Sequence, residues 1–358
     1  MPQNFILIVY PEMHKTKVAV FRNLEPVFLK SISHSSERLA MFKNILDQKE
    51  FRKEAIRAEL DKNSFPLNSI DVVMGRSGMV KPVSQGVYHI NEKMVSDLAD
   101  KIHQHHVTNL GGLIAFDLAE EIGKKAYIAN PVVVDELSDV ARFTGHPKFQ
   151  RTSIFHALNH KHVANKYAKS INKQYEDVNL IVCHIGRGGV SVGAHEKGRV
   201  VDVNQAFDGD GPFGVTRTGT LPMGQLVEMC YSGEYTQEQV MEMITEKGGY
   251  RAYLGTGNIG EINQMLADGN ETALQVSYAL SYQVAKEIAS HVATLKGDVD
   301  AIILTGIIFD SNRFLDNVIM RIKSIAPVAL YPTVNDVEAL AVYGDQLLKG
   351  QVEPKEYV

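Results

Sequence analysis

Cysteine is nearly absent. Cys183 and Cys230 are the only two in 358 residues, too few for a disulfide framework, and they do not stand at metal-ligand spacing. No apolar run reaches the length of a membrane span. The opening stretch MPQNFILIVYPEMHK lacks the basic start and small-residue cleavage site of a signal peptide. Neither sign of charge dominates: 37 Lys and Arg against 42 Asp and Glu leave a net charge of −5, which is no electrostatic footprint for nucleic acid. With 44% hydrophobic and 22% charged residues, the disordered and fibrous classes are excluded. These absences predict a soluble cytoplasmic protein with no nucleic-acid or membrane partner. The length suits two domains or one large α/β unit.

What is present is an alternation of strand and helix patterns. FILIVY and KVAVF around PEMHKT predict a β-hairpin, and Ser35 to Asn63 predicts a helix. IDVVMGRSGMVKPV reads as a buried strand running into a glycine loop. HVTNLGGLIAFDLAEEIG reads as a helix with a Gly stop, and KAYIANPVVVD as another strand. A helix is predicted from about Thr152 to Ser170, then a second strand-rich set, VNLIVCHIGRGGVSVGAHEKGRVVDVNQ. Helices around 223–248 and 270–295 follow, then strands in VDAIILTG and PVALYP, then a helix from about Asn335 to Lys349. The expected architecture is α/β with two β-led halves: 1–150 closed by 335–358, and 151–334.

Four glycines, Gly186, Gly188, Gly189 and Gly193, crowd the stretch between Leu180 and His195. Bare backbone there makes either a nest for phosphate oxygens or a sharp hairpin with a bulge. It is no Walker loop, because no Gly-Lys-Ser/Thr follows and both flanks are strands. Downstream, FDGDGPFGVTRTGTLP carries Asp208, Gly209, Asp210 and Arg217, in either an anion-binding loop or a solvated one. Arg76, in GRSG, follows a buried strand, where ligands collect in open α/β sheets. Two arginines in glycine loops suit a bidentate clamp on an anionic substrate. Asp135 ends PVVVD, ahead of Glu136 and Asp139, and could hold Mg²⁺ through water or cap a turn. His156 and His160 are four apart, on one helix face, with His162 nearby, but the glutamate of the zincin pattern is missing. A single histidine acting on phosphoryl charge and a satisfied half-buried histidine are the two readings. HQHH at 103–106 reads as a solvated helix terminus.

Taken in order, NPVVVDELSDVARFTGHPKFQRTSIFHALNHK, GAHEKGRVVDVNQAFDGDGPFGVTRTGTLP, RAYLGTG and AIILTG resemble the acetate and butyrate kinase family, on its butyrate side, over essentially the whole chain. That family lies within the sugar kinase, Hsp70 and actin superfamily. The resemblance implies two domains of related ribonuclease H-like topology with an active-site cleft between them. It implies ATP/ADP and Mg²⁺ as cofactors, a small carboxylate as substrate, and a homodimer or higher homo-oligomer. By motif, Arg76 and Arg217 match the family's active-site arginines, His156 the histidine that steadies the transferring phosphoryl group, and Asp135 the acid near the metal. His184 with Gly186, Gly188 and Gly189 corresponds to the second phosphate loop, and Thr305 and Gly306 to the adenosine segment. Asp208 and Gly209 are further nucleotide-side positions, Lys17 survives from the first phosphate loop, and Asp336 stands where the family has a magnesium-associated glutamate. The implied reaction is attack of a carboxylate on the γ-phosphorus of ATP.

Three segments depart from the family's pattern. The first hairpin reads YPEMHKTK in place of Asn-Pro-Gly-Ser-Thr-Ser-Thr-Lys, which puts Tyr10 at the Asn and Glu12, with its charge and Cβ, at the Gly. HIGRGGVS is longer than His-x-Gly-Gly-Gly-x-Ser through Arg187, and TGII puts Ile307 beside the nucleotide. Three readings therefore stand open: an active carboxylate kinase, an impaired paralogue that keeps the fold and binds an acyl ligand or a partner subunit, or a kinase with an altered nucleotide or phosphate donor, Lys15 and Arg187 supplying charge that bare backbone supplies in the family.

Overall fold

The computed structural model describes residues 4–100, 106–186, 188–306, 312–332 and 335–358. The expectations for His103, Gln104, His105, Arg187 and Ile307 lie outside the described residues. The chain divides into two compact units, Met1–Val134 with Asn335–Val358, and Asp135–Val334.

The first unit holds β1 (Phe5–Glu12), β2 (Lys15–Arg22), β3 (Glu25–Ser33), β4 (Val72–Gly75), β5 (Val87–His89) and β6 (Ala126–Ala129). They form one sheet in the order β3-β2-β1-β4-β6-β5. The hairpin predicted around PEMHKT is β1–β2, paired from Phe5↔Arg22 to Glu12↔Lys15. β1 is buried along its interior because it pairs antiparallel with β2 on one side and parallel with β4 on the other. The helix Asn109–Glu121 packs on β1 and β4. It comes close because of glycine: a Cβ on Gly75 would meet the Gly111 carbonyl oxygen at 2.6 Å. Bare backbone on both elements lets the helix seat against the end of β4, where Arg76 begins.

The second unit holds β7 (Asn179–Ile185), β8 (Val190–Glu196), β9 (Arg199–Val203), β10 (Ala301–Gly306) and β11 (Val328–Tyr331), in the order β11-β10-β7-β8-β9. The two sheets share one plan. A three-strand antiparallel meander takes two further strands, added parallel beside its first member; in the first unit β5 then closes the edge antiparallel to β6. β7 is buried along its whole length, the pattern of a strand covered on both faces. Ile181, Cys183 and Ile185 share one core with the helix Glu271–Thr294, while Leu180 and Val182 share another with the helix Ala157–Ser170.

Four local expectations differ from the structure. The change of unit falls at Val134, before the expected boundary at 150. The segment after it is tied to β9: Ser138 N–H donates to Val201 O at 2.8 Å, and Glu136 accepts Val200 N–H at 2.9 Å. The strand expected through KAYIANPVVVD stops at Ala129, because Asn130 takes a left-handed φ of 39° and Pro131 offers no donor. The helix expected over 35–63 is broken. A short turn of helix, Ser36–Leu39, gives way to an extended Asn44, whose N–H donates to Asp47 Oδ2 at 3.0 Å, and the main helix is Lys49–Lys62. β3 was not expected: it is an exposed edge strand, and without a buried face it shows little alternation of apolar residues.

Candidate active site

In the second unit the β7–β8 turn is the organising feature. The strands stay in register up to Ile185↔Val190, and Gly186 N–H donates to Gly189 O at 2.9 Å. There is no bulge within the pairing, so the glycines need another reason. A Cβ on Gly186 would sit 2.6 Å from His156 Nε2, and one on Gly188 would sit 3.0 Å from Arg217 Cζ. One on Gly189 would meet Ala206 O at 2.4 Å and Arg217 Cδ at 3.0 Å. The bare turn is a seat for an imidazole and a guanidinium. Gly214 completes it, since a Cβ there would collide with Gly188 O at 2.2 Å.

His156 is not within a helix face as its spacing to His160 suggests. It is the N-cap of the helix Ala157–Ser170, with ψ 58°. Its Nδ1 meets Ser191 Oγ at 2.8 Å, and its ring lies 4.1 Å, centroid to centroid, from that of His184 on β7. Arg217 donates from Nη1 to Ala206 O at 2.7 Å and lies 4.7 Å above the Phe207 ring. Both side chains are half-buried, anchored at one end and presented at the other. Thr305 pairs opposite His184 in the β7–β10 register and donates to Asn159 Oδ1 at 3.1 Å. Gly306 follows with a φ of 95°, a conformation in which side chains are rare.

The loop after β9 is held by Gln205, which sequence reasoning passed over. The backbone N–H groups of Phe207, Asp208 and Gly209 all donate to its Oε1, at 2.8, 3.0 and 3.1 Å, and its Nε2 donates to Asp208. Three converging N–H groups are an anion-type nest, here filled by a side-chain carbonyl. Asp135 lies apart from the turn in its bonding. Arg142 takes both of its oxygens, at 2.7 and 2.8 Å, and Leu137 N–H adds a third bond at 3.2 Å. A hollow of about 520 Å³ lies between the helices Met223–Tyr231 and Gln237–Thr245, with an apolar lining that includes Cys230 and none of the predicted residues. Cys183 is buried, and burial pushes its thiol up.

In the first unit the predicted residues gather around Tyr10. Arg76 continues β4, its N–H donating to Val9 O at 2.8 Å and its Nη1 to Pro11 O at 2.6 Å. The guanidinium lies 4.4 Å over the Tyr10 ring and the Lys17 ammonium 5.5 Å over it. Tyr10 donates its hydroxyl to Asp336 Oδ2 at 2.5 Å, in the first turn of the helix Asp336–Leu348. Burial raises the Tyr10 hydroxyl well above its ordinary value, and the Asp336 carboxylate adds to this. Glu12 pairs with Lys17 at 2.9 Å and Lys15 at 3.3 Å. Burial would raise its carboxyl, but these ammonium groups and Arg76 overcome that and hold it below the usual range. The charge that seemed to bar phosphate is thus neutralised inside the hairpin. Beneath the turn lies Arg52, 0% exposed, which donates to the carbonyls of Glu12, Met13 and Lys15 at 2.9, 2.8 and 3.1 Å. Its sequence signal was a cation on the same helix stripe as Ile56 and Leu60.

A separate titratable cluster surrounds Glu287 on the helix Glu271–Thr294. Burial raises its carboxyl to about 7, helped by Asp210 and Asp202 and opposed by Arg151. The unfolded value is ordinary, 4.5, so the folded chain holds this proton more tightly. That contribution is complete below about pH 4.5 and is lost as pH rises through about 7. Glu287→Gln is expected to flatten stability across this window, an effect of up to about 3 kcal/mol. Urea unfolding at both ends of the window checks it, and an unchanged pH dependence in the variant would refute it.

Residues 148–345 match the profile of the acetokinase family. Over 352 residues the chain is 46% identical to Butyrate kinase 2 of Clostridium acetobutylicum, covering 98% of this chain and 99% of that one. Among solved structures, acetate kinase from Porphyromonas gingivalis superposes with a TM-score of 0.76 at 15% identity, covering 96% of this chain and 100% of its own. A propionate kinase from Francisella tularensis superposes at 0.75 with 16% identity, covering 95% and 98%. At such identities these two speak for the fold alone. The profile match and the near full-length relative lead to one statement: the chain belongs to the acetokinase family.

Proposed function

We propose that this chain is a carboxylate kinase that moves the γ-phosphoryl group of ATP to butyrate, or to another short or branched fatty acid, giving an acyl phosphate and ADP reversibly. The observation that supports it most is the β7–β8 turn, where bare backbone carries the His156 imidazole on one flank and the Arg217 guanidinium on another. Similarity along nearly the full length of a relative named as a butyrate kinase favours this over an impaired paralogue.

Phosphoryl transfer asks for positioning and charge compensation more than for covalent work. The acceptor carboxylate is ionised at pH 7 and needs no general base. Arg217 takes charge on the transferring group, and His156 donates from Nε2 to an equatorial oxygen. Arg76, fixed by Pro11 O and the Tyr10 ring, turns its remaining donors to the acceptor carboxylate. In the second unit His184, Gly186, Gly188, Gly189, Asp208, Gly209, Thr305 and Gly306 serve the nucleotide. In the first unit Lys17 serves as a phosphate-side cation. Mg²⁺, when bound with the nucleotide, neutralises phosphate charge. Among the described residues no group of three or more His, Cys, Asp or Glu is arranged to hold a metal. Asp336 suits a water-mediated hold on Mg²⁺. Asp135 suits that part less well, because Arg142 engages both of its oxygens; its proposed part is to hold the 135–142 segment in place. Among the described residues no helix is long and apolar enough to cross a membrane. A cytoplasmic homodimer or larger homo-oligomer is proposed from the family resemblance.

Hydroxylamine trapping tests the activity. With Mg·ATP, hydroxamate is expected from butyrate or isobutyrate in excess of that from acetate. A folded protein giving none from any of the three overturns the reading.

A further inference from the structure

Behind His156 runs a line of polar side chains that the transfer chemistry above does not use. His156 Nδ1 meets Ser191 Oγ at 2.8 Å, and Ser191 Oγ meets His160 Nε2 at 2.9 Å. His160 Nδ1 meets His195 Nε2 at 3.2 Å, and His195 Nδ1 meets the Tyr175 hydroxyl at 2.6 Å. Ser191, His160 and His195 are 0% exposed and Tyr175 3%. Four elements contribute: the turn at Tyr175–Asp177, β8 with both Ser191 and His195, the helix Ala157–Ser170 with His160, and its N-cap, His156.

We propose that Tyr175, His195, His160 and Ser191 form a one-way hydrogen-bond relay that sets the tautomer of His156, so that its proton sits on Nε2, the atom facing the Gly186 turn. The reasoning is one of hydrogen counting. Burial drives both inner imidazoles well below their ordinary values, with His184, Lys161 and His291 adding to this at His160 and His160, Lys161 and His291 at His195, so each carries a single ring proton. With one proton per ring, the polarity at one nitrogen of His195 or His160 dictates that at the other, and Ser191, accepting from His160, keeps its single O–H for His156. Phenol is the stronger acid and imidazole nitrogen the stronger acceptor, so the Tyr175 O–H donates to His195 Nδ1. His195 then donates from Nε2 to His160 Nδ1, and His160 from Nε2 to Ser191 Oγ. Ser191 donates its O–H to His156 Nδ1. A neutral His156 whose Nδ1 accepts must hold its proton on Nε2. That nitrogen lies 2.6 Å from where a Gly186 Cβ would stand. No proton is transferred; the relay is a positioning device, and its catalytic consequence rests on His156 acting on the phosphoryl group.

The test reads the tautomer directly, without any substrate. In protein with ¹⁵N-labelled histidine, at a pH where His156 is neutral, two-bond ¹⁵N–¹H spectra should show His156, His160 and His195 all protonated on Nε2. Tyr175→Phe removes the terminal donor, and a mixture of tautomers at the three rings is expected, with kcat for acyl phosphate formation lower by about tenfold, the scale of a lost orienting partner. KM for ATP and for the carboxylate should stay near wild type, a split that general loosening of the fold would not produce. Ser191→Ala is the second variant. It removes both links at Ser191 Oγ, to His156 and to His160, and should free the tautomer of His156 while the Tyr175 donor still holds His195 and His160 protonated on Nε2. A wild-type His156 protonated on Nδ1, or tautomers indifferent to both substitutions, overturns the relay. A wild-type protein with the Nε2 pattern but no kinase activity would uphold the relay and overturn the catalytic reading instead.

Discussion

Arg217→Ala is expected to lower hydroxamate formation from butyrate and Mg·ATP by about 10²–10³-fold, the cost of one aligned donor to developing charge. The expectation follows from how the side chain is held. One donor is fixed on Ala206 O, the plane rests on Phe207, and the bare flank of Gly188 and Gly189 lies against the rest. A guanidinium fixed on several sides needs no rearrangement as charge develops. Arg217→Lys is expected to recover little, since an ammonium cannot both hold Ala206 O and present a planar pair of donors. Steady-state rates with a thermal melt as fold control decide it. A melt near wild type with a wild-type rate would remove Arg217 from the transfer machinery.

The second large effect is on stability. Lys161 is 1% exposed; its ammonium donates to Glu136 Oε2 at 2.6 Å and to Gly198 O at 3.0 Å. Burial pushes the Lys161 amine below its ordinary value, with the Glu136 carboxylate acting against that shift. Lys161→Met would leave Glu136 buried without a cation, an expected loss of about 3–5 kcal/mol by urea unfolding. Replacing both, Lys161→Met with Glu136→Leu, removes the stranded charge and is expected to restore most of the loss. A single variant as stable as wild type would show that the pair does not hold the segment after Val134 against β9.

Much of the fold was legible because its cues are local. Hydrophobic runs placed β1, β2, β4, β7, β8 and β10, and the Gly stop placed the end of the helix Asn109–Glu121. The misses have local reasons too. Exposed β3 has no buried face to write into the sequence, and Asn130 with Pro131 breaks a run that stays apolar. In the site, the residues were individually legible and their neighbours were not. Glu12 looked like an obstacle until the hairpin placed Lys15 and Lys17 beside it. Arg52 carried a faint signal, a cation on an apolar stripe. Gln205 and Ser191 carried none, since a polar residue beside a glycine loop is ordinary.

By itself, then, the order of residues determined the class, the succession of strands and helices, and which glycines, arginines and histidines were worth watching. Periodicity and turn chemistry act over a few neighbours, and the chain records them directly. Only the tertiary structure decided what those residues meet. That the Gly186 and Gly188 backbone seats His156 and Arg217 depends on segments far apart in the chain coming so close that an added Cβ would stand 2.6 and 3.0 Å from those side chains. The line from Tyr175 to His156 likewise exists because β8 puts Ser191 and His195 against the helix that begins after His156. Contacts of this kind are set by how buried surfaces pack, and no local pattern along the chain encodes them.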